Sequence, residues 1–280
     1  MIKAFKSGDN LRRDILAFND PKKFKVWWLG QSGFLIKHHG NTLLFDPYLS
    51  DSLTRKYGET DKPHVRMSEL CISASQLDMI DVVTSSHNHT DHLDAETLNP
   101  LFEANPKIQF VIPEANRAFI CERLGCHESF PIGLDIDKEI EVKDFKIIGL
   151  PAAHNKIDFD EKGRAKFMSF IVQFGDFTVY HSGDTLWYEG LEKRVLKYKP
   201  DVAFLPINGN KPERKVAGNL SAEEAARLGK EIHAGCVIPH HYDMFEFNTE
   251  DPANFVLACK KHKTPHSILN IGEGLAFEFA

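Results

Sequence analysis

The 280-residue sequence lacks the features that mark secreted and membrane-spanning proteins. Its first residues, MIKAFKSGDNLRRD, contain no apolar core of the kind that signal peptides carry. Nowhere do about 18 apolar residues run together, so no membrane-spanning helix is predicted. There are only five cysteines, an odd number without a CxxC pair, which argues against a disulfide framework and a cysteine-based zinc site. These absences predict a cytoplasmic protein with reduced thiols.

The charge balance is mildly acidic, and the rest of the composition is that of an ordinary globular protein. The chain carries 34 Lys and Arg against 40 Asp and Glu, a net charge of −6. Because proteins that grip phosphate backbones are usually basic, this balance disfavours a nucleic-acid-binding protein. The length, without repeats or linker-like segments, predicts one domain over residues 1–280. The unusual feature is the number of histidines, which is 14.

Strand-like and helix-like segments alternate along the chain. Short runs rich in β-branched and aromatic residues, such as Lys25–Leu29, predict strands. Ser221 followed by Glu224 is a capping box, which predicts the start of a helix. Ser267–Ile271 and Leu275–Phe279 are expected to close the chain as a hairpin. Strands interleaved with helices predict sheets covered by helices.

Three histidines and an aspartate fall within the six residues HNHTDH, after the predicted strand Asp81–Thr84. His87 and His89, two apart on an extended backbone, point the same way, whereas Asp91 and His92 follow a turn and face a second point. Imidazole combined with carboxylate suits Zn, Mn or Fe(II) rather than Ca or Mg alone. The alternative is a solvated polar loop, but the composition of this chain gives only roughly 0.002 accidental matches to the pattern.

The HNHTDH motif resembles the metal-binding signature of the metallo-β-lactamase superfamily. Four further motifs occur in the order found in that superfamily: LLFDP lies before HNHTDH, and LPAAH, YHSGDT and VIPHHYDMF lie after it. Four stretches resemble more narrowly its L-ascorbate-6-phosphate lactonase branch: WWLGQSGFLIK, IDVVTSSHNHTDHLD, YHSGDT and VIPHHYDMFEFNTEDP. The chain departs from that branch in being shorter and in having His154 in place of an acidic residue. The resemblance implies an α/β protein, an αββα sandwich with two mixed sheets covered by helices.

The resemblance also implies roles for the side chains of these motifs. The implied ligands of one or two divalent ions (Zn, Mn or Fe) are His87, His89 and His154 for the first ion, Asp91, His92 and His241 for the second, and Asp184 between them. His240 competes with His241 for the last position and is otherwise a packing residue. His181 is expected to orient Asp184 through a hydrogen bond, and Asp46 to accept hydrogen bonds from the HNHTDH loop.

These residues predict a hydrolase that uses a metal-activated water. Asp91 is the candidate catalytic residue, because it can take the proton of the attacking water and deliver it to the leaving group. The expected substrate is a small anionic molecule, such as a sugar-phosphate lactone or a phosphoester. Candidate substrate-binding residues are polar side chains of two loops, Asn208, Lys211 and Arg214 in one and Arg55 in the other. The alternative for the first of these loops is a solvated basic segment.

Two other functions stay open at this point. A nucleic-acid phosphodiesterase on the same fold is disfavoured by the acidic balance and by the absence of a segment rich in Lys and Arg. A non-catalytic metal-binding module is disfavoured because every implied ligand is present. We therefore expect no nucleic-acid and no membrane partner. The sequence determines neither the metal nor the substrate, and it leaves a homo-oligomer open.

Overall fold

Two mixed β-sheets form the centre of the protein, in a computed structural model that describes residues 1–214 and 216–278. The strands of the described chain are β1 (Lys23–Gly30), β2 (Gly33–His38), β3 (Asn41–Phe45), β4 (Val82–Thr84), β5 (Gln109–Pro113), β6 (Pro131–Leu134), β7 (Glu139–Val142), β8 (Phe145–Pro151), β9 (Met168–Phe174), β10 (Phe177–His181), β11 (Val202–Pro206), β12 (Cys236–His240) and β13 (Gly274–Glu278).

Each sheet combines parallel and antiparallel strands. The first has the order β13-β1-β2-β3-β4-β5-β6, antiparallel from β13 to β3 and parallel from β3 to β6. The second has the order β12-β11-β10-β9-β8-β7, parallel from β12 to β10 and antiparallel from β10 to β7.

Aromatic side chains pack between the two sheets. Phe34 of β2 stacks on Phe204 of β11, with ring centroids 4.1 Å apart. Phe24 of β1 meets Phe174 of β9 edge-on at 5.2 Å. All four side chains are buried. Because large aromatic side chains remove much apolar area from water, this layer makes up a large part of the core.

Helices cover the sheets, so the predicted αββα architecture is confirmed. The helices of the described chain are α1 (Gly8–Ala17), α2 (Ser52–Tyr57), α3 (Ala95–Ala104), α4 (Arg117–Leu124), α5 (Leu191–Leu196), α6 (Ala222–Glu231) and α7 (Pro252–His262). Helix α6 begins at the predicted capping box, where Ser221 Oγ accepts from Glu224 N at 3.2 Å and Glu224 Oε2 accepts from Ser221 N at 2.8 Å. In the part of the chain that the structure describes, no helix combines the length and apolar character needed to cross a bilayer.

The predicted C-terminal hairpin is wrong. The segment Ser267–Ile271 forms no strand and lies beside β12, where Ser267 N donates to Val237 O at 3.0 Å. Strand β13 pairs instead with β1 of the other sheet. The first apolar run therefore lies beside the second sheet without joining it, and the second run forms an edge strand of the first sheet. Phe279, the last residue of the predicted hairpin, lies outside the described residues.

Five strands from both sheets end at the same edge of the sandwich. Strands β3 and β4 are parallel neighbours in the first sheet, and β8, β10 and β12 share one direction in the second. Hydrogen bonds connect the two sheets at this edge. His181 Nε2, at the end of β10, lies 2.9 Å from Ser32 O in the turn between β1 and β2. The motif residues follow these five strands and are therefore brought together.

Candidate metal centre

Three histidines from two loops form the first cluster of potential ligands. His87 and His89 follow β4, His154 follows β8, and their ligand atoms lie within 4.8 Å of one another. His154 Nδ1 contacts Gly218 O at 2.9 Å and His87 Nδ1 contacts Ser86 Oγ at 3.0 Å. These contacts leave the Nε2 atoms of both rings for the cluster. His87 and His154 are buried, whereas His89 is exposed to the cleft described below.

Burial keeps the imidazoles of this first cluster neutral. It lowers the pKa of His154 to about 4 and, together with the neighbouring imidazoles of His92 and His89, holds the pKa of His87 well below its ordinary value. At neutral pH these rings therefore offer lone pairs rather than positive charge, which is the form that binds metal ions.

A second cluster contains two carboxylates and two histidines. Asp91, His92, Asp184 and His241 place ligand atoms within 4.8 Å of one another. Burial alone would raise the pKa of Asp184, but His241 and His92 outweigh it and hold that pKa well below the ordinary value. Burial likewise opposes protonation of His92, yet the charges of Asp184 and Asp91 raise its pKa well above the ordinary value.

Asp184 lies between the two clusters. Its Oδ1 is 2.7 Å from His241 Nε2 and 3.3 Å from His92 Nε2, and its Oδ2 is 3.6 Å from His154 Nε2. Each carboxylate oxygen thus faces one cluster. The strand β10 and Gly183, whose φ of +56° places Asp184 past a sharp turn, set this position.

The buried polar atoms at the centre fit a pair of cations. His87 Nε2 is buried without a hydrogen-bond partner among the described residues. His241 Nε2 and Asp184 Oδ1 are also buried and, although 2.7 Å apart, do not meet each other in hydrogen-bond geometry. Leaving such atoms unpaired is costly, and one cation bound in each cluster would satisfy all three. The donor set of imidazoles and carboxylates suits Zn, Mn or Fe(II).

Asp46 holds the HNHTDH loop from beneath. Its carboxylate is fully buried and accepts from Ser86 N at 3.0 Å and from Thr84 Oγ1 at 2.9 Å. Its Oδ2 lies 2.7 Å from His92 Nδ1. These are hydrogen bonds of the kind predicted for Asp46, and they fix the orientation of the His92 ring.

The two additional histidines lie behind the clusters. The hydrogen bond predicted from His181 to the Asp184 side chain is absent: His181 Nε2 contacts Ser32 O, and its Nδ1 accepts from Gly183 N at 3.2 Å. The reason is that both ring nitrogens are used by backbone, so His181 positions the turn before Asp184. His240 stacks on His181 with an interplanar angle of 1°, and the structure turns His241 toward Asp184.

Gln31 also contacts the second cluster, although the sequence did not single it out. Its Nε2 lies 2.8 Å from Asp91 Oδ2 and 2.9 Å from His241 Nδ1. Gln31 has a positive φ of +50° in the turn between β1 and β2. A polar residue in a tight turn between two strands was the available signal, because such turns aim side chains out of the sheet.

A cleft of about 400 Å³ opens onto the clusters. Its lining includes the potential ligands His89, Asp91 and His154. Its other charged or aromatic lining side chains are Lys56, Tyr57, Lys62, His64, Arg123, Phe245 and Phe247. His64, Lys62 and Arg123 were not predicted as site residues.

The four predicted substrate-binding residues have protein partners and are not among the residues that line this cleft. Arg55 pairs with Glu96 on the surface, and Lys211 Nζ lies 2.9 Å from Glu250 Oε2. Arg214 donates to the backbone oxygens of residues 208 and 249. The side chain of Asn208 donates to the side-chain oxygen of Asn248 at 2.9 Å. Arg214 therefore fastens its own loop.

Comparisons with known proteins agree with this fold. Residues 25–241 match a family model described as "Beta-lactamase superfamily domain". A metal-dependent hydrolase of Caldivirga maquilingensis is 26% identical over 229 residues, 81% of this chain and 86% of that protein. A protein of Shigella dysenteriae serotype 1, named "Probable L-ascorbate-6-phosphate lactonase", is 23% identical over 271 residues, covering 83% of this chain and 73% of that protein. The solved structure of Igni18, a metallo hydrolase of Ignicoccus hospitalis, has a TM-score of 0.68 at 22% identity and covers 92% of this chain and 100% of that one.

Proposed function

Since the chain belongs to the beta-lactamase superfamily and is a metal-dependent hydrolase of this fold, we propose that it hydrolyses a small anionic lactone or phosphoester with a metal-activated water. The observation that carries this proposal is the pair of His/Asp clusters that share Asp184 beside an open cleft. The clusters supply ligands, and the cleft supplies space for a substrate next to them.

In this proposal the residues of the two clusters each have a defined role. The first ion would be held by His87, His89 and His154, the second by Asp91, His92 and His241, with Asp184 between them. When bound, the ions would activate a water molecule as nucleophile and polarise the scissile carbonyl or phosphoryl oxygen. Zn is the metal we expect first, with Mn and Fe compatible with the same ligands.

Asp91 is proposed as the residue that moves the proton. It lines the cleft, and Gln31 donates to its Oδ2 at 2.8 Å, which fixes the orientation of the carboxylate. A carboxylate held in this way can accept a proton from the attacking water and deliver it to the leaving group.

The dimensions of the cleft favour a small substrate. A volume of about 400 Å³ fits a molecule the size of a sugar phosphate. A relative named for lactonase activity supports a lactone as the first class to test, at 23% identity. A nucleic-acid phosphodiesterase remains the alternative, disfavoured by the net charge of −6.

The test combines metal analysis with a substrate screen. The purified protein is assayed for bound metal by mass spectrometry and for hydrolysis of a panel of lactones and phosphoesters. His89→Ala and Asp184→Ala are expected to lose both metal and turnover. His127→Ala serves as the matched control, since His127 is exposed and, among the described residues, Ser129 is the hydrogen-bond partner of its ring.

Three results would contradict the proposal. Full metal loading with no activity on either substrate class would exclude the assigned chemistry. Wild-type turnover in both cluster variants would show that the reaction takes place elsewhere. Cleavage of a labelled RNA or single-stranded DNA at low enzyme concentration would favour the alternative function.

A further inference from the structure

The cleft carries a positive charge that the composition of the chain does not suggest. Although the chain has a net charge of −6, the cleft is lined by three cations, Lys56, Lys62 and Arg123, and by one carboxylate, Asp91. Asp91 is already assigned to the second cluster. Outside the proposed metal ligands, the charged lining side chains of the described cleft are therefore all basic.

Arg123 differs from a typical arginine of this protein. On the same helix α4, Arg117 forms an ion pair with Glu114 at 2.6 Å. Arg123 forms no ion pair among the described residues; its Nη1 donates to Asn88 O at 2.7 Å and to Leu93 O at 3.2 Å. Its guanidinium also lies over the Phe119 ring at 4.5 Å. Burial lowers the pKa of Arg123 and outweighs the opposing charge of Asp94.

The contacts of Arg123 place its guanidinium beside the reaction centre. Asn88, whose carbonyl it binds, lies between His87 and His89 in the sequence, and Arg123 lines the same cleft as His89 and Asp91. The two carbonyl contacts use Nη1 and hold the group in place. No hydrogen bond within the described residues uses Nε or Nη2, so this edge of the fork is left for a ligand.

The same cleft contains an aromatic surface. Tyr57 stacks on His64 with ring centroids 4.5 Å apart, and His64 meets Phe247 edge-on at 4.5 Å. Phe245 lines the cleft beside them. A substrate that fits these surfaces has one anionic group for the cations and one apolar or planar part for the rings.

We infer that Arg123 binds an anionic group of the substrate, a carboxylate or a phosphate, and thereby determines specificity for anionic over neutral substrates. This inference rests on the proposed hydrolase function, because it concerns the same cleft. A bidentate or charge-assisted contact of this kind changes the preference for the anion by roughly 10- to 100-fold.

The test compares two esters that differ in one charge. The metal-loaded enzyme is assayed with mono-(4-nitrophenyl) adipate, which has a free carboxylate, and with its neutral methyl ester. Arg123→Gln is expected to lower kcat/KM for the carboxylate about 10- to 100-fold and to leave the methyl ester nearly unaffected. Arg123→Lys, which keeps the charge, is expected to restore part of the difference. Arg227→Gln, on the surface of α6, is the control and is expected to change neither value.

The ratio of the two kcat/KM values separates binding from a structural role. If Arg123 merely held the HNHTDH loop, both esters and the metal content would decline together in Arg123→Gln, and the inference would be wrong. A wild-type enzyme that hydrolyses the two esters equally well would also overturn it while leaving the proposed hydrolase function intact.

A binding measurement keeps the inference testable if neither ester is hydrolysed. Phenylphosphonate, an anion with an aromatic ring, is titrated calorimetrically into the metal-loaded wild type and the variants. The dissociation constant is expected to rise about 10-fold or more in Arg123→Gln and to stay unchanged in Arg227→Gln. An equal constant in all proteins, or no binding to the wild type in the millimolar range, would overturn the inference.

Discussion

Replacing Asp46 by asparagine changes one atom and one charge beneath the proposed metal centre. Asp46 Oδ1 accepts from Thr84 Oγ1 at 2.9 Å and Ser86 N at 3.0 Å, whereas Oδ2 lies 2.7 Å from His92 Nδ1. A carboxylate only accepts hydrogen bonds, so it keeps the proton of His92 on Nδ1. Nε2, which lies 3.3 Å from Asp184 Oδ1, is then the nitrogen that would give up its proton and offer its lone pair to a bound cation.

An asparagine at position 46 cannot satisfy all of these partners. If its NH₂ group replaces Oδ2, it faces the Nδ1 proton of His92, and a charge-assisted hydrogen bond worth about 1.5–3 kcal/mol is lost. Alternatively His92 moves its proton to Nε2, which blocks the lone pair needed for a metal. If the NH₂ group replaces Oδ1, it faces the Ser86 backbone N–H, and an unsatisfied buried donor costs about 1–3 kcal/mol. Either arrangement predicts a loss of about 2 kcal/mol in unfolding free energy.

Metal affinity is the more specific measurement. We expect Asp46→Asn to weaken zinc binding about 10- to 100-fold, because it removes the group that orients a ligand histidine. Zinc is titrated in competition with a chromogenic chelator, and the unfolding free energy of the metal-free protein is measured with urea.

Asp94→Asn is the matched control for this experiment. Asp94 is also buried, but it accepts from hydroxyl groups, those of Ser50 at 2.6 Å, Ser52 at 2.9 Å and Thr97 at 2.6 Å. Hydroxyl groups can rotate to accept from an amide, and none of these side chains is a proposed ligand. Asp94→Asn is therefore expected to keep the zinc affinity of the wild type. Unchanged zinc affinity in Asp46→Asn would refute the reasoning.

Two further substitutions test a partly buried ion pair of the fold and the turn that carries Asp184. Burial would raise the pKa of Asp14, but Trp27 and two lysines outweigh it and hold that pKa at about 2 against an ordinary 3.8. Because the folded pKa is the lower one, this carboxylate stabilises the protein above about pH 4, and the contribution is lost as the pH falls through 2. In urea unfolding, Asp14→Asn should lower the free energy of unfolding by ~2 kcal/mol at pH 7, and this free energy should decline less between pH 4 and 2 than in the wild type. A decline as steep as in the exposed control Asp176→Asn would contradict this. Gly183→Ala should lower the free energy of unfolding by about 2–4 kcal/mol and weaken zinc binding, since φ is +56° and a Cβ would lie 2.7 Å from Met168 O. Wild-type values for both the unfolding free energy and the zinc affinity would show that the turn is not required.

The geometry of the first ligands follows from spacing within one loop. His87 and His89 are two residues apart after β4, and their ligand atoms lie within 4.8 Å of each other and of that of His154, although residues 86–89 bend instead of staying extended. Asp184 and His241 could be named only through the resemblance, because no local pattern indicates that β10 and β12 end where β4 ends. The structure brings all of them together, and their role as ligands stays a prediction.

Near the C-terminus the prediction was wrong both on a strand and on its pairing, because Ser267–Ile271 forms no strand and β13 pairs with β1. The segments Ser267–Ile271 and Leu275–Phe279 both have apolar residues and are separated by glycines, which is typical of a hairpin. The chain instead crosses from one sheet to the other at this point, where Gly272 N donates to Trp28 O at 2.7 Å. Pairing partners are decided by long-range packing of the two sheets, and local propensity contains no information on that choice.

The predicted substrate-binding residues show that the direction of a side chain is equally hard to predict. A basic residue in a loop near the site can point to the cleft or fold back, and Arg214 folds back to bind the carbonyl of Asn208. Arg123 lies near the end of a helix, where the sequence indicates only a helix C-terminus before Gly125. Its approach to Asn88 and Leu93 depends on how α4 packs against the HNHTDH loop.

The net charge of the chain and the charge of its cleft are therefore separate properties. Many of the 40 acidic residues pair with basic residues on the surface, as Glu96 does with Arg55 and Glu250 with Lys211. Arg123 has no such partner among the described residues and lies half-buried, where its field is screened less by solvent than that of an exposed charge. In the proposed function, an anionic substrate would thus be attracted by a local arrangement, even though the whole molecule has the same sign of charge. For this reason the preference for anions should depend on Arg123 and respond little to surface charges more than about 10 Å away at 0.1 M salt.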